Sequence, residues 1–264
     1  MMSGIGSSDI MKKSKKIVIT NHTDKFVEWY DLLLKHGYAK DDIIIYDRDH
    51  AGFNGENLDP KRFEEYGTVI KTPNVGANIY VIGKYVVDNY ENLPDLVLFI
   101  KCNIIQKKCP STDIPWYTTQ ETFERALDAE YFFPIEADST NNVFPTRFFV
   151  NDRIFVEDVK DIPTVRPNSK IYPRISSFPD FINDLFVIDK MPDYVLFCPG
   201  ANYVIPKECI LKYSKNFYKK MMAYTDYENS NLGVGHCEES HWFERVLELA
   251  WQGNLKENFS YIVE

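Results

Sequence analysis

The chain has 264 residues, which is enough for one large α/β domain or two small ones. With 44% hydrophobic and 26% charged residues, it can bury a core without help from disulfides or metals. The net charge of −9 disfavours a nucleic-acid partner, because such a partner requires clustered positive charge. The five cysteines form no CxxC pair, which argues against a zinc site and favours a reducing compartment.

The sequence carries no signal for a membrane or for export. No apolar run reaches the roughly 18 residues that a membrane span requires. Residues 1–15 lack an apolar signal core, so we expect them to form a disordered leader. These features predict a cytoplasmic protein without a membrane span.

The region from residue 68 to residue 103 has the pattern of strand, turn, helix, turn and strand. From Ile79 onward, apolar residues recur with the spacing of one helix face. Residues 96–100 are apolar without alternation, as expected of a strand that is covered on both faces. In such a unit ligands bind at the carboxyl ends of the strands, so the turn at 74–78 and the exit at 101–103 should share one rim.

Two further strands, over 16–20 and 43–46, precede this region and are separated by a helix that ends near Gly37. The first hundred residues therefore predict an α/β fold with a mostly parallel, open, Rossmann-like sheet and flanking helices.

Proline becomes frequent between residues 107 and 192, and we interpret this part as a proline-rich insertion or flank over the sheet. Within it, the sequence predicts a helix over 119–129 and a hairpin around Asn151 and Asp152. The last seventy residues predict a strand over 194–198, a helix start at Pro206, and helices over 209–223 and 238–251.

We expect a single catalytic domain over residues 16–264. Its predicted parts are a nucleotide-binding half (16–106), the proline-rich elaboration (107–192), and an acceptor and catalytic half (193–264).

The start of the last predicted helix carries the most informative residues. Glu239 shares a helix face with Trp242 and Phe243, whereas Glu238 and His241 lie on a different face. An inward carboxylate at a helix start is ionised, aimed and partly desolvated, as a general base must be. The plainer interpretation is that the two glutamates merely favour a first helical turn.

Three other patterns bear on ligands. The two histidines of the HCEESH segment are five residues apart, whereas a helical pair of metal ligands needs three or four, so we predict no metal there. Asp47 and Asp49 follow the second strand, where they could bind a base or ribose or simply form a solvated turn. The turn at 74–78 presents backbone N–H groups at a helix start, which favours a phosphate.

Taken in order, these pieces resemble the GT-A glycosyltransferase layout. The matching features are a first strand ending in Thr20 and Asn21, a second ending in Asp47, a turn with Asn74, Gly76 and Asn78, a segment with Gly200, Ala201 and Asn202, and Glu238-Glu239 followed by Arg245. More closely, the segments TNHTDKFVEW, PNVGANIY, LPDLVLFIKCN, PGANYVIPKECI and FERVLELAW resemble a little-characterised GT-A-like family of fungi, bacteria and large algal viruses.

The resemblance implies an inverting glycosyltransferase that moves a sugar, with xylose as one candidate, from a UDP-sugar to a glycan or glycoprotein hydroxyl. It implies that Glu239, with Glu238 beside it, supplies the general base. The donor-binding residues would be Thr20, Asn21, Asp47, Asn74, Gly76, Asn78, Lys101 and Arg245, and the acceptor-side residues would be Gly200, Ala201, Asn202 and His241.

One departure from the family pattern concerns the metal. Where the layout has its metal-binding D-x-D, this chain has Lys101, Cys102 and Asn103, which leaves no acidic pair for Mg²⁺ or Mn²⁺. We therefore expect no required cofactor, with Lys101 offsetting the charge of the leaving group. The alternative is that Asp47 and Asp49 hold a metal.

Two other functions stay open from the sequence. One is a nucleotide-sugar hydrolase or phosphotransferase on the same sheet. The other is a catalytically inactive module that binds a sugar or a nucleotide. Sugar transfer, hydrolysis alone, and binding without product would distinguish the three.

Overall fold

The protein is described here by a computed structural model, which covers residues 13–22, 25–48, 61–105, 118–135, 156–162, 175, 177–227 and 237–259. Its strands are β1 Lys15–Asn21, β2 Ile43–Arg48, β3 Thr68–Thr72, β4 Leu96–Lys101, β5 Phe133–Pro134, β6 Val156–Asp158, β7 Phe186–Val187, β8 Tyr194–Leu196, β9 Tyr203–Pro206 and β10 Lys256–Glu257. Its α-helices are α1 Tyr30–Lys35, α2 Ala77–Asn89, α3 Gln120–Asp128, α4 Phe178–Leu185, α5 Lys207–Ile210, α6 Lys215–Thr225 and α7 Glu238–Gln252.

Within the described residues, six strands form a mixed sheet in the order β3-β2-β1-β4-β9-β5. Strands β1 to β4 are mutually parallel, as the buried runs in their sequence predict. Strand β9 is antiparallel to β4, and β5 is antiparallel to β9. The predicted α/β class, with a mostly parallel sheet and flanking helices, is therefore confirmed, and the sheet is compatible with a Rossmann-like fold.

The chain order of the parallel strands creates a switch point between β1 and β4. From β1 the chain proceeds outward through β2 to β3, and α2 then carries it back across the sheet to β4. In open α/β sheets, ligands bind at the carboxyl ends of the strands beside such a point. Thr20 and Lys101 are register partners there, on the two strands that flank it.

Two apolar cores cover the two faces of the sheet. One lies under α2, α4, α6 and α7, and we call this face the α2 side. The other lies under α1, the 3-10 helix Lys25–Trp29 and α3, and we call it the α1 side. Ile19 and Ile100 belong to the α1-side core, so strand alternation turns the next residues, Thr20 and Lys101, toward the α2 side.

Strand β9 brings a loop to the rim, and the sequence did not predict this strand. Its four residues, YVIP, are fully within the core, and its register with β4 runs from Pro206 opposite Leu96 to Tyr203 opposite Phe99. Because β9 is antiparallel, the residues just before Tyr203 lie at the carboxyl ends of the parallel strands. Residues 199–202 therefore reach the rim from the opposite half of the chain.

Several predicted boundaries change in the structure. Residues 13–15 belong to the fold, since Lys15 begins β1 and Ser14 donates to Asp95 through its backbone N–H at 2.7 Å. The helix predicted over 209–223 is divided into α5 and α6, because Ser214 caps α6 with its hydroxyl oxygen accepting from Phe217 N. The strand predicted over 194–198 is the shorter β8, and it pairs with β6 outside the main sheet.

The proline-rich part contributes more than a flank. Its described residues include α3, which confirms the helix predicted over 119–129 and is capped by Thr119, and the edge strand β5 of the main sheet. The rest of the predicted leader, residues 1–12, and the predicted hairpin at 151 and 152 lie outside the described residues. None of the described helices has the length and apolar character needed to cross a membrane.

Candidate active site

Polar side chains gather at the switch point, as the position of the strand ends predicts. Asn21 ends β1, and its amide Nδ2 donates to Asp47 Oδ1 of β2 at 3.1 Å. The guanidinium of Arg62 donates to the same oxygen at 3.1 Å. Both Asn21 and Asp47 are buried, and strand alternation places them on the α1 side of the sheet. Asn21 and Asp47, two of the three residues expected to hold the nucleoside, thus form one cluster, with Arg62 as a member that the sequence did not indicate. Thr20, the third, faces the α2 side.

A second cluster lies on the α2 side of the switch point and is built around Gly200. The Gly200 carbonyl accepts a hydrogen bond from Asn78 Nδ2 of α2 at 2.5 Å, and the Gly200 N–H donates to Glu244 Oε1 of α7 at 3.2 Å. Asn202 fixes the same loop to β4, since its Oδ1 accepts from Lys101 N at 2.8 Å. Four separate parts of the chain therefore meet at one glycine.

The backbone at Gly200 and Ala201 has the left-handed conformation. Their φ angles are +81° and +51°, and a non-glycine residue adopts such a φ only under constraint. A Cβ on residue 200 would lie 2.9 Å from Lys101 Nζ and 3.1 Å from Asn202 Nδ2. The absence of a side chain at Gly200 is what allows the Lys101 ammonium to lie directly against the loop.

The start of α2 repeats this pattern. Gly76 and Ala77 have φ angles of +57° and +49°, and a Cβ on Gly76 would lie 2.5 Å from Thr225 at the end of α6. Asn74 is half-buried in the turn just before. Strained backbone of this kind concentrates at functional sites, where the surrounding structure holds it in place.

Glu239 lies in the first turn of α7 and is 2% exposed, which confirms its predicted inward orientation. Its carboxylate Oε2 accepts a hydrogen bond from the hydroxyl of Tyr227, which follows α6. The side chain of Glu238 lies outside the described residues. Because Thr225 of α6 packs on Gly76, the same segment that holds Glu239 also contacts the start of α2.

Glu244 is a buried carboxylate that the sequence analysis did not single out. Burial raises its pKa, but its contact with His241 and the positive charges of Lys101 and Arg245 outweigh burial, so the pKa lies below its usual value. It is 8% exposed. Helical spacing in the sequence could have indicated that Glu244 is buried, because it lies three residues before Leu247 and seven before Trp251, and both of these are buried.

The structure gives Arg245 a different partner from the one expected. Its Nε donates to Glu157 Oε2 of β6 at 2.5 Å, its NH1 donates to the His241 carbonyl at 2.8 Å, and its guanidinium lies 4.7 Å from the Phe197 ring centroid. Such a paired and stacked guanidinium supports the wall of the site, and a contact of Arg245 with the diphosphate stays a prediction. His241 is exposed, as an acceptor-side residue would be.

The residues in the D-x-D position do not fit a divalent metal. Lys101 offers a cation, and Cys102 is buried with its sulfur 3.3 Å from His22 Nδ1. The alternative ligand Asp47 is engaged by Arg62 and Asn21, and Asp49 lies outside the described residues. Among the residues that are described, no group of three or more potential ligands could hold a metal ion.

Comparisons of this chain with protein-family models, with curated proteins and with solved structures find no match.

Proposed function

We propose that this protein is a GT-A-like inverting glycosyltransferase that uses a nucleotide sugar, with a UDP-sugar as the donor. Glu239 takes the proton from an acceptor hydroxyl, whose oxygen forms the new bond to the anomeric carbon. The bond from that carbon to the phosphate oxygen breaks, and the nucleoside diphosphate leaves with the bonding electrons.

The observation that carries this proposal is the position of Lys101. Its ammonium lies at the switch point, against a glycine that leaves room for it. No described residue accepts a hydrogen bond from Lys101 Nζ. A partly buried cation beside the start of α2, whose dipole also favours negative charge, suits a diphosphate leaving group.

The other cluster supports a nucleoside on the α1 side. Asp47 uses Oδ1 for Arg62 and Asn21, so Oδ2 remains available for a ribose hydroxyl. Thr20, next to the end of β1, is 3% exposed and faces the α2 side, between this cluster and Lys101. A nucleotide bound across the ends of β1 and β2 would direct its phosphates toward Lys101 on β4.

The acceptor is proposed to be a glycan or glycoprotein, entering on the side of His241. The sequence resemblance extends to transferases that act on viral capsid glycans and transfer xylose, which makes UDP-xylose the first donor to test. We propose no metal-dependent step, because Lys101 takes the place of the acidic pair.

Thermal unfolding in the presence of a nucleotide-sugar panel tests this proposal. We expect UDP and at least one UDP-sugar to raise the melting temperature, because a ligand that binds only the folded state stabilises it by mass action. The shift should be the same with and without EDTA. A shift that EDTA removes and Mn²⁺ restores would contradict the metal-independent mechanism, and no shift with any nucleotide would contradict the function.

A further inference from the structure

The atoms around Gly200 include hydrogen-bonding groups that the protein itself leaves open. Asn78 is 2% exposed, and its Nδ2 donates to the Gly200 carbonyl, but its Oδ1 is buried and accepts no hydrogen bond from the described residues. A buried polar atom without a partner is costly in a folded protein. The hydrogen bond to the Gly200 carbonyl fixes the orientation of the Asn78 amide, and the direction in which Oδ1 can accept is therefore fixed as well.

Glu244 presents a second open acceptor on the other side of the same glycine. Its Oε1 accepts from the Gly200 N–H, whereas Oε2 lies 3.9 Å from the His241 ring nitrogen Nδ1. That distance is too long for a hydrogen bond. A buried carboxylate oxygen therefore remains able to accept, in a site where the third open group is the Lys101 ammonium.

The three groups together define the chemistry of a ligand. The cation requires an anionic group, and the two oxygens require donors that carry no negative charge of their own. A sugar phosphate has both, because its ring hydroxyls donate and its phosphate is anionic. A free phosphate or a bare nucleotide would satisfy Lys101 but would leave the two oxygens unpaired.

We propose that Glu244 and Asn78 form the subsite for the sugar ring of the donor, with hydroxyl groups of the sugar donating to Glu244 Oε2 and Asn78 Oδ1. This inference rests on the proposed function and extends it, since it assigns the recognition of the sugar to residues other than the general base. Glu244 thereby determines donor specificity, and a charge-assisted hydrogen bond makes it the stronger of the two contacts.

The subsite predicts opposite effects of one substitution on two ligands. In Glu244→Gln the carboxamide oxygen can still accept from Gly200 N–H, but Nε2 replaces the open oxygen. We expect the affinity for the sugar nucleotide to fall at least about tenfold. The affinity for UDP should stay equal or increase, because a negative charge near the diphosphate has been removed.

The experiment measures dissociation constants by calorimetry for UDP and for the tightest-binding member of UDP-glucose, UDP-galactose, UDP-xylose and UDP-N-acetylglucosamine. We compare the ratio of the dissociation constant of the sugar nucleotide to that of UDP. This ratio does not depend on the fraction of correctly folded protein. Glu244→Asp, which keeps the charge but withdraws the carboxylate, should raise the ratio as Glu244→Gln does. Glu248→Gln is the matched control, because Glu248 is 2% exposed on the same helix and is one turn from Glu244.

The outcomes separate this inference from the function on which it rests. A ratio that rises in both Glu244 variants and stays constant in the control supports the subsite. Tight binding of a UDP-sugar with an unchanged ratio in both variants overturns the subsite and leaves the proposed function standing. Failure of the wild-type protein to bind UDP or any of the four sugar nucleotides overturns both.

Discussion

Replacing Glu239 by Gln is expected to lower kcat by about 10²–10⁴-fold, the range that general-base assistance supplies. The carboxamide keeps the shape of the side chain and can still accept the hydrogen bond of the Tyr227 hydroxyl. It cannot take up the proton of the acceptor hydroxyl. Affinity for UDP and the melting temperature should therefore stay near wild type, and steady-state kinetics with the best donor measure the loss.

The control for Glu239 is again Glu248→Gln, which makes the same change of charge at an equally buried position of α7. We expect its kcat to stay within about threefold of wild type, because Glu248 is not among the residues assigned to the donor or to the acceptor, and a carboxamide oxygen can still accept the hydrogen bond that Gln252 Nε2 donates to Glu248 Oε1. Equal, mild losses in the two variants would show that Glu239 only stabilises the start of the helix. A large loss in Glu239→Gln that comes with an equal loss of UDP affinity would also contradict a role as base.

The second large effect is expected at Lys101. Lys101→Met keeps an unbranched side chain one atom shorter than lysine and removes the charge at the switch point. Hydrogen bonds to charged groups contribute about 1.5–3 kcal/mol, so the affinity for UDP should fall by about 10–100-fold. Calorimetric titration with UDP measures this change. The affinity of the variant for UDP should also depend less on salt concentration than the affinity of the wild type does.

Lys84→Met provides the comparison for Lys101. Lys84 lies on α2 and pairs with Asp88 at 2.8 Å, and surface ion pairs of this kind contribute little. Its substitution should leave the affinity for UDP unchanged. If the two lysine variants bind UDP equally well, the diphosphate does not contact Lys101, and the assignment of this residue fails.

The parallel half of the fold was predictable because its signals are local. Buried strands such as β4 are uninterrupted apolar runs, and α2 shows one apolar face between turn residues. From these two facts the rim at the carboxyl ends followed, with Lys101 and the 74–78 turn on it. The inward phase of Glu239 was equally local, since it depends only on the spacing to the buried residues of α7.

The parts that were not predicted depend on contacts between distant residues. Strand β9 has only four residues after a turn-like PGAN, and its antiparallel place beside β4 is a property of the sheet. The partner of Arg245 is Glu157, 88 positions earlier in the chain. The hydrogen bond from Gly200 to Glu244 likewise joins a loop to a helix face 44 positions later. No periodic pattern in a single segment encodes such pairs.

A crystal structure of the protein with bound UDP would locate the diphosphate relative to Lys101. We expect a terminal phosphate oxygen about 2.7–3.2 Å from Lys101 Nζ, beside Gly200, with the ribose near Asp47. UDP bound at the amino ends of these strands, for example in the cleft lined by Lys13, Asp95 and Lys207, would contradict this expectation.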